Sequence, residues 1–317
     1  MTLRQLVKSY LQYLEIEKGY SPRTIRSYRM FLERFLSWTK LPSTEAITQE
    51  AVANFRLRLA RFEDPQRGPL SKKTQNYYLI ALRGFLRYLT KRGHTTLASD
   101  QIELAKVPER QIDFLDENEV QRLLDSPKEN DLRSLRDKAL LEILFSTGLR
   151  VSELCSLSRY DIDLKKDEFS VRGKGGKIRV VFLSADAKEA LGKYLEARSD
   201  THGALFIGVP KGKDISTLSK QEGNHMTVRT AERIVKKYAI AAGIARKVTP
   251  HTLRHMLGTQ LLKGGANLRA VQMILGHSNI STTQIYTHYA NEELKEVHKK
   301  FLKRGEKQGN EEENIAS

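Results

Sequence analysis

The sequence is poor in cysteine, in long apolar runs and in acidic side chains relative to basic ones. Its 317 residues include one cysteine, Cys155, which excludes an intrachain disulfide and fits a reducing compartment. Cys155 lies in Val151-Ser152-Glu153-Leu154-Cys155-Ser156-Leu157, an apolar helical pattern that suggests a small packing residue rather than a nucleophile. No stretch approaches the roughly 18–20 apolar residues that span a bilayer. The opening Met1-Thr2-Leu3-Arg4-Gln5-Leu6-Val7-Lys8 runs straight into an amphipathic pattern without the apolar segment of a signal peptide. The expectation is a cytoplasmic protein with no membrane partner.

Lys and Arg number 54 against 38 Asp and Glu, a formal net charge of +16. Such an excess points to a polyanionic partner, of which nucleic acid is the usual one. The distribution sharpens this. Residues 1–96 hold 18 basic against 7 acidic side chains, and the remaining residues 36 against 31. With 39% hydrophobic and 29% charged residues the chain reads as globular, and its length suggests two domains.

The fold class expected is mainly α with a small β-hairpin. Residues 1–95 read as a helical DNA-binding domain of four helices. Leu3, Leu6, Val7, Tyr10, Leu11 and Leu14 recur at helical spacing. Ser21-Pro22 opens a second helix, a third spans about Thr48 to Arg61, and Ser71 caps a fourth that Gly93 stops. Arg23, Arg26, Lys72, Lys73, Asn76 and Arg83 lie off the apolar faces and form a candidate DNA-reading surface. Residues 96–115 read as a linker and 116–304 as a second domain, opened by Asp116 as an N-cap. Residues 305–317, with four glutamates and one lysine, read as a mobile tail. Phe169–Arg172 and Ile178–Phe182 are rich in strand formers around Gly173-Lys174-Gly175-Gly176, which predicts a hairpin. Residues 208–226 read as an exposed loop, followed by helices from Val228, Pro250, Leu268 and Thr282.

The chemistry concentrates between Thr249 and His288. His251 and Arg254 share one helix face. Asn267 caps a helix that ends at Gly276, which sets His277 just past its C-terminus. Ser281 and Gln284 have capping-box spacing, which sets Tyr286 early in the next helix. Upstream, Arg150 follows Thr147-Gly148-Leu149, and Lys174 lies in the hairpin turn. Two arginines, two histidines, a lysine and a tyrosine suit phosphoryl transfer. Each guanidinium fork can hold two phosphate oxygens and stabilise a pentacovalent transition state. A tyrosine hydroxyl titrates near ~10, so it needs a base to take its proton. A lysine on the turn can return a proton to the leaving oxygen. Such chemistry calls for neither metal nor nucleotide cofactor.

These segments resemble the tyrosine recombinases, within them the Xer-type recombinases and related phage and mobile-element integrases. The resemblance covers roughly residues 3–300. It rests on Arg136-Asp137-Lys138-Ala139-Leu140-Leu141 leading to Thr147-Gly148-Leu149-Arg150-Val151-Ser152-Glu153-Leu154, on Gly173-Lys174-Gly175, on His251-Thr252-Leu253-Arg254-His255, on Leu275-Gly276-His277-Ser278, and on Thr282-Thr283-Gln284-Ile285-Tyr286-Thr287-His288. The nine-residue step from His277 to Tyr286 is the family's. The resemblance implies a SAM-like core-binding domain and a catalytic domain. It implies Arg150 and Arg254 as phosphate clamp, Tyr286 as the nucleophile forming a 3′-phosphotyrosine, and Lys174 as acid toward the 5′ oxygen. His251 and His277 would assist proton transfer, and Glu153 would support Arg150. It further implies double-stranded DNA carrying specific sites as substrate and a tetramer of this chain, or a hetero-tetramer with a second recombinase. Glu292 to Leu302 would be a final helix docking on a neighbour, and a DNA translocase a possible activator. The roles implied are chromosome or plasmid dimer resolution, or mobile-element integration.

Several alternatives stand beside this reading. Tyr289 is a rival nucleophile that breaks the spacing from His277, and Lys177 is a neighbour of Lys174. His251 and His255 have metal-ligand spacing, yet Thr252 stands where a zinc protease needs glutamate. A type IB topoisomerase uses similar chemistry as a monomer, but the small basic N-terminal helical domain and the helix expected after Tyr286 favour the recombinase. A DNA-binding relative without catalysis would not keep six competent positions.

Overall fold

The computed structural model describes residues 1–66, 68–107, 114–173, 176–208 and 225–276. The chain divides into two compact units, Met1–Arg110 and Gln111–Ser317.

The first unit holds α1 (Leu3–Ile16), α2 (Pro22–Thr39), α3 (Gln49–Arg61) and α4 (Lys72–Lys91). Each start follows from its capping residue. Thr2 accepts from the Gln5 N–H while the Gln5 side chain returns to the Thr2 N–H, and Ser21, Thr48 and Ser71 each accept from the N–H three residues on. Leu32, Phe35, Phe55, Leu82, Phe85, Leu86 and Leu89 form the centre of the core, each at most 1% exposed. Each such side chain contributes roughly 1.5–3 kcal/mol by leaving water. A two-stranded pair the sequence did not announce, β1 (Glu63–Asp64) with β2 (Gly68–Pro69), joins α3 to α4. Part of the stretch read as linker belongs to this core. Leu97, Ile102 and Leu104 pack against it, and Asn76 on α4 exchanges two hydrogen bonds with the backbone of Ala105 at 2.8 and 3.0 Å.

The second unit is built on α6 (Leu132–Thr147), whose Ala139, Leu140, Leu141, Ile143 and Leu144 are fully enclosed. Buried residues lie on nearly every side of this helix, the polar Ser134, Arg136, Asp137 and Glu142 included, so other elements must surround it. It is wrapped by α8 (Ala185–Glu196), α10 (Pro250–Lys263), α9 (Val228–Ala241) and α5 (Glu117–Asp125). The expected hairpin is present as β3 (Glu168–Arg172) and β4 (Ile178–Phe182), antiparallel, with Phe169 opposite Val181 and Val171 opposite Arg179. Short helices α7 (Val151–Ser156) and α11 (Leu268–Leu275) complete the described part.

Two buried arginines hold this unit together. Arg136 pairs with Asp137 at 2.6 Å and donates to the Ile207 carbonyl, while the Tyr238 hydroxyl donates to the other Asp137 oxygen at 3.1 Å. Arg198 lies over the Tyr194 ring, pairs with Asp200, and donates to the carbonyls of His202, Ala204 and Leu205. Among the described residues no helix is long and apolar enough to cross a membrane.

Candidate active site

Two helix C-termini meet at one side chain of α10. α6 ends at Gly148 (φ +59) and α11 at Gly276 (φ +63), both in the left-handed region that glycine tolerates. Arg254, 3% exposed, donates through one terminal nitrogen to the Gly148 carbonyl and through the other to that of Leu275. Helix C-termini carry unpaired carbonyls and partial negative charge, so a buried guanidinium is well matched there. A Cβ at Gly148 would lie 2.8 Å from both Leu257 and Leu275. Gly148→Ala is therefore expected to cost about 2–4 kcal/mol, from strain at positive φ and from crowding. Urea unfolding measures this, and an unchanged midpoint would contradict the contact.

Arg150 is the N-cap of α7, and its side chain is 29% exposed. One terminal nitrogen donates to Glu153 at 2.9 Å and the other to the Gly276 carbonyl at 3.1 Å, and its backbone N–H also donates to Glu153 at 2.9 Å. Arg179 on β4 grips the same carboxylate, donating to one oxygen at 3.2 Å and to the other at 2.7 Å. Burial alone would raise the Glu153 carboxyl, but the Arg179 and Arg150 hydrogen bonds outweigh it and bring the pKa down to about 2. The stability this carboxylate contributes is thus present above the ordinary glutamate range and is lost as pH falls toward 2.

His251 sits on α10 one turn before Arg254, partly accessible to solvent and partly covered by its neighbours. Desolvation lowers its pKa, the charges of Arg254 and Arg150 lower it further, and Glu232 on α9 partly offsets them. These influences favour the neutral ring, which is able to accept a proton. His255 is lowered to about 4 by burial, His251 and Arg254. Among the described residues no group of three or more His, Cys, Asp and Glu side chains could hold a metal ion. Burial, with help from Glu232, pushes the Cys155 thiol up to about 11, which leaves it a packing residue.

Lys174, His277 and Tyr286 lie outside the described residues, as do Tyr289, the segment Glu292 to Leu302 and most of the expected 208–226 loop. Their chain neighbours are nonetheless informative. Gly173 closes the hairpin through its N–H to the Lys177 carbonyl at 2.7 Å. A Cβ on Gly173 would lie 3.2 Å from Arg179 and 3.4 Å from Glu153. The residue before Lys174 and the residue before His277 thus both abut the Arg150–Glu153–Arg179 cluster. The sequence reading did not single out Arg179. Its signal lay in the register of the hairpin, which sets residue 179 on the face of Val181 opposite the buried Phe169 and Val171.

In the first unit, Arg23, Arg26, Lys72 and Lys73 are exposed and Arg83 is half-buried. Asn76 is committed to Ala105, as described above. Arg23 lies in the first turn of α2, followed one turn later by Arg26, and Lys72 and Lys73 start α4; neither first turn carries an acidic residue. Cations at the positive end of a helix are unfavourable by about 0.3–1 kcal/mol each unless an anion joins them. An open groove between α1 and α2 adds Arg4, Lys8 and Arg29 to Arg26.

Comparison with known proteins matches residues 113–293 to the phage integrase family and residues 7–93 to the phage integrase N-terminal SAM-like domain. The chain is 37% identical over 296 residues to tyrosine recombinase XerC of Thermodesulfovibrio yellowstonii, covering 93% of this chain and 95% of that protein. It is 35% identical over 306 residues to tyrosine recombinase XerD of Listeria monocytogenes, covering 94% and 99%. The XerH site-specific recombinase, in a post-cleavage complex with a palindromic difH substrate, superposes with a TM-score of 0.66 at 22% identity, covering 92% of this chain and 84% of that one. At that identity the likeness speaks for the fold.

Proposed function

Since the chain belongs to the phage integrase family and is a tyrosine recombinase, we propose that Arg150 and Arg254 hold the scissile phosphate of double-stranded DNA while Tyr286 attacks it. The observation that carries this reading is the convergence of both arginines on the ends of α6 and α11, with His251 at the start of α10 feeling the charge of both. Arg254 is enclosed and forms the floor, while Arg150 is the accessible cation above it.

The Tyr286 oxygen bonds to phosphorus as the bond to the 5′ oxygen breaks, leaving a 3′-phosphotyrosyl link. The phenolic proton passes to a histidine, His251 or His277. The pKa of His251, lowered by desolvation and then by the two arginines, favours the neutral ring that suits that task. Lys174, one residue from the Gly173 contact with Glu153 and Arg179, returns a proton to the 5′ oxygen. The phosphodiester energy is conserved in the link, so rejoining is the same step reversed and requires neither metal nor nucleotide. The exposed cations at the starts of α2 and α4 and in the α1–α2 groove bind the DNA backbone, which supports strong salt dependence.

Near full-length similarity to XerC and XerD supports resolution of chromosome or plasmid dimers over integration of a mobile element. A working assembly of four protomers, of this chain alone or shared with a second recombinase, and activation by a DNA translocase belong to the same proposal.

The test is covalent trapping. The protein is incubated in chelator with a nicked suicide substrate carrying candidate recombination sites, then separated under denaturing conditions, and the DNA-linked peptide is mapped. The expected product is a slow species whose DNA is joined to Tyr286. Attachment elsewhere, or no adduct on verified cognate DNA with its partners present, would overturn the reading.

A further inference from the structure

Glu153 sits between two arginines of unequal standing. Arg179 is inward-facing and its side chain is 11% exposed, whereas that of Arg150 is 29% exposed. Arg179 spans both carboxylate oxygens, at 3.2 and 2.7 Å, and Arg150 reaches one of them with one side-chain nitrogen. A carboxylate facing a single guanidinium forms the two-pronged pair and cancels its charge. Here that fork is occupied by Arg179.

We propose that Arg179 is a positioning residue that neutralises Glu153, so that Glu153 orients Arg150 without consuming the charge Arg150 presents to the scissile phosphate. The trio carries a net charge of one, displayed at its exposed member. The arrangement also links three segments. Gly173 lies against Arg179 from the hairpin turn. The α-carbon of Gly276 lies so close over it that a Cβ there would be 2.7 Å from the Arg179 Cδ. The Arg179 Nε is buried with no hydrogen-bond partner among the described residues, which leaves its two terminal nitrogens to do the holding. A strand residue at position 179 thus sets the electrostatics of a residue at the start of α7.

This inference rests on Arg150 acting as the phosphate clamp. The experiment is a double-variant cycle on the full chain: Arg179→Gln, Glu153→Gln, both together, and Arg179→Lys. Single-turnover cleavage of the suicide substrate is measured at saturating DNA, with affinity and thermal unfolding measured in parallel. In Arg179→Gln the carboxylate turns fully onto Arg150, and cleavage falls by about 30-fold with affinity unchanged. In the double variant no carboxylate remains to quench Arg150, and the rate recovers to within about threefold of Glu153→Gln alone. Arg179→Lys keeps the counter-charge and stays within about fivefold of the parent chain.

A merely structural role predicts the opposite for the double variant, which would be slower than either single one. That result overturns the proposal, as does a parental rate in Arg179→Gln. Should Arg179→Gln fail to fold, Arg179→Lys and the double variant decide: a folded double variant more than about tenfold slower than Glu153→Gln alone overturns it. Arg150→Ala is the control for the underlying reading. If it cleaves normally, the clamp assignment has failed; if it is inactive while Arg179→Gln keeps the parental rate, only the present inference has.

Discussion

Tyr286→Phe is expected to bind recombination-site DNA as tightly as the parent chain and to form no covalent adduct. The substitution removes one oxygen and leaves the ring, so the basic surface that binds DNA is untouched. The loss should be total within assay limits, at least about 10⁴-fold, because without the nucleophile no intermediate can form. Cys155 is buried with its thiol pushed up to about 11, and the Tyr10 and Tyr238 hydroxyls are raised by burial. Binding is read by gel shift across a salt series and the adduct by denaturing electrophoresis. An adduct from this variant would falsify the nucleophile assignment and turn attention to Tyr289.

Arg254→Ala should lose cleavage by about 10³–10⁵-fold, the range typical of an arginine that stabilises a phosphoryl-transfer transition state. Affinity should fall only modestly, since one phosphate contact among many is removed. The structure adds a second effect. The side chain donates to the carbonyls of Gly148 and Leu275, so its removal orphans two helix-end acceptors and opens a void. Stability should drop by about 2–4 kcal/mol. Arg254→Lys separates the effects, because a single ammonium keeps the charge but cannot span both carbonyls. Cleavage is compared under conditions where circular dichroism shows each variant folded. A folded Arg254→Ala that cleaves within tenfold of the parent would remove Arg254 from the clamp.

Much of this was legible in the chain itself. Helix starts were marked by residues whose side chains take up orphan N–H groups: Ser21, Ser71, Asp116 and Asn267 cap where the sequence placed helix starts, and Thr2 and Thr48 cap as well. Glycine at positions 148 and 276 marked helix ends because only glycine adopts positive φ at no cost. His251 and Arg254, three apart, had to share a face. The β1–β2 pair was not legible, since two-residue strands have no periodicity to read. Nor was the commitment of Asn76 to Ala105, because a hydrogen bond across 29 residues leaves no local trace.

The sequence by itself determined the elements, the charge concentrated in the first unit and the residue types for phosphoryl transfer, because capping, periodicity and composition are local properties. Only the tertiary structure decided which way β4 faces. Its own pattern would turn Ile178, Val180 and Phe182 inward, yet these are 66%, 43% and 50% exposed. Pairing with β3 overrides that preference. Phe169 and Val171 face the core, and residues directly opposite share a face, so Arg179 and Val181 must follow them in. A charge forced inward needs a partner, and Glu153 is there to meet it.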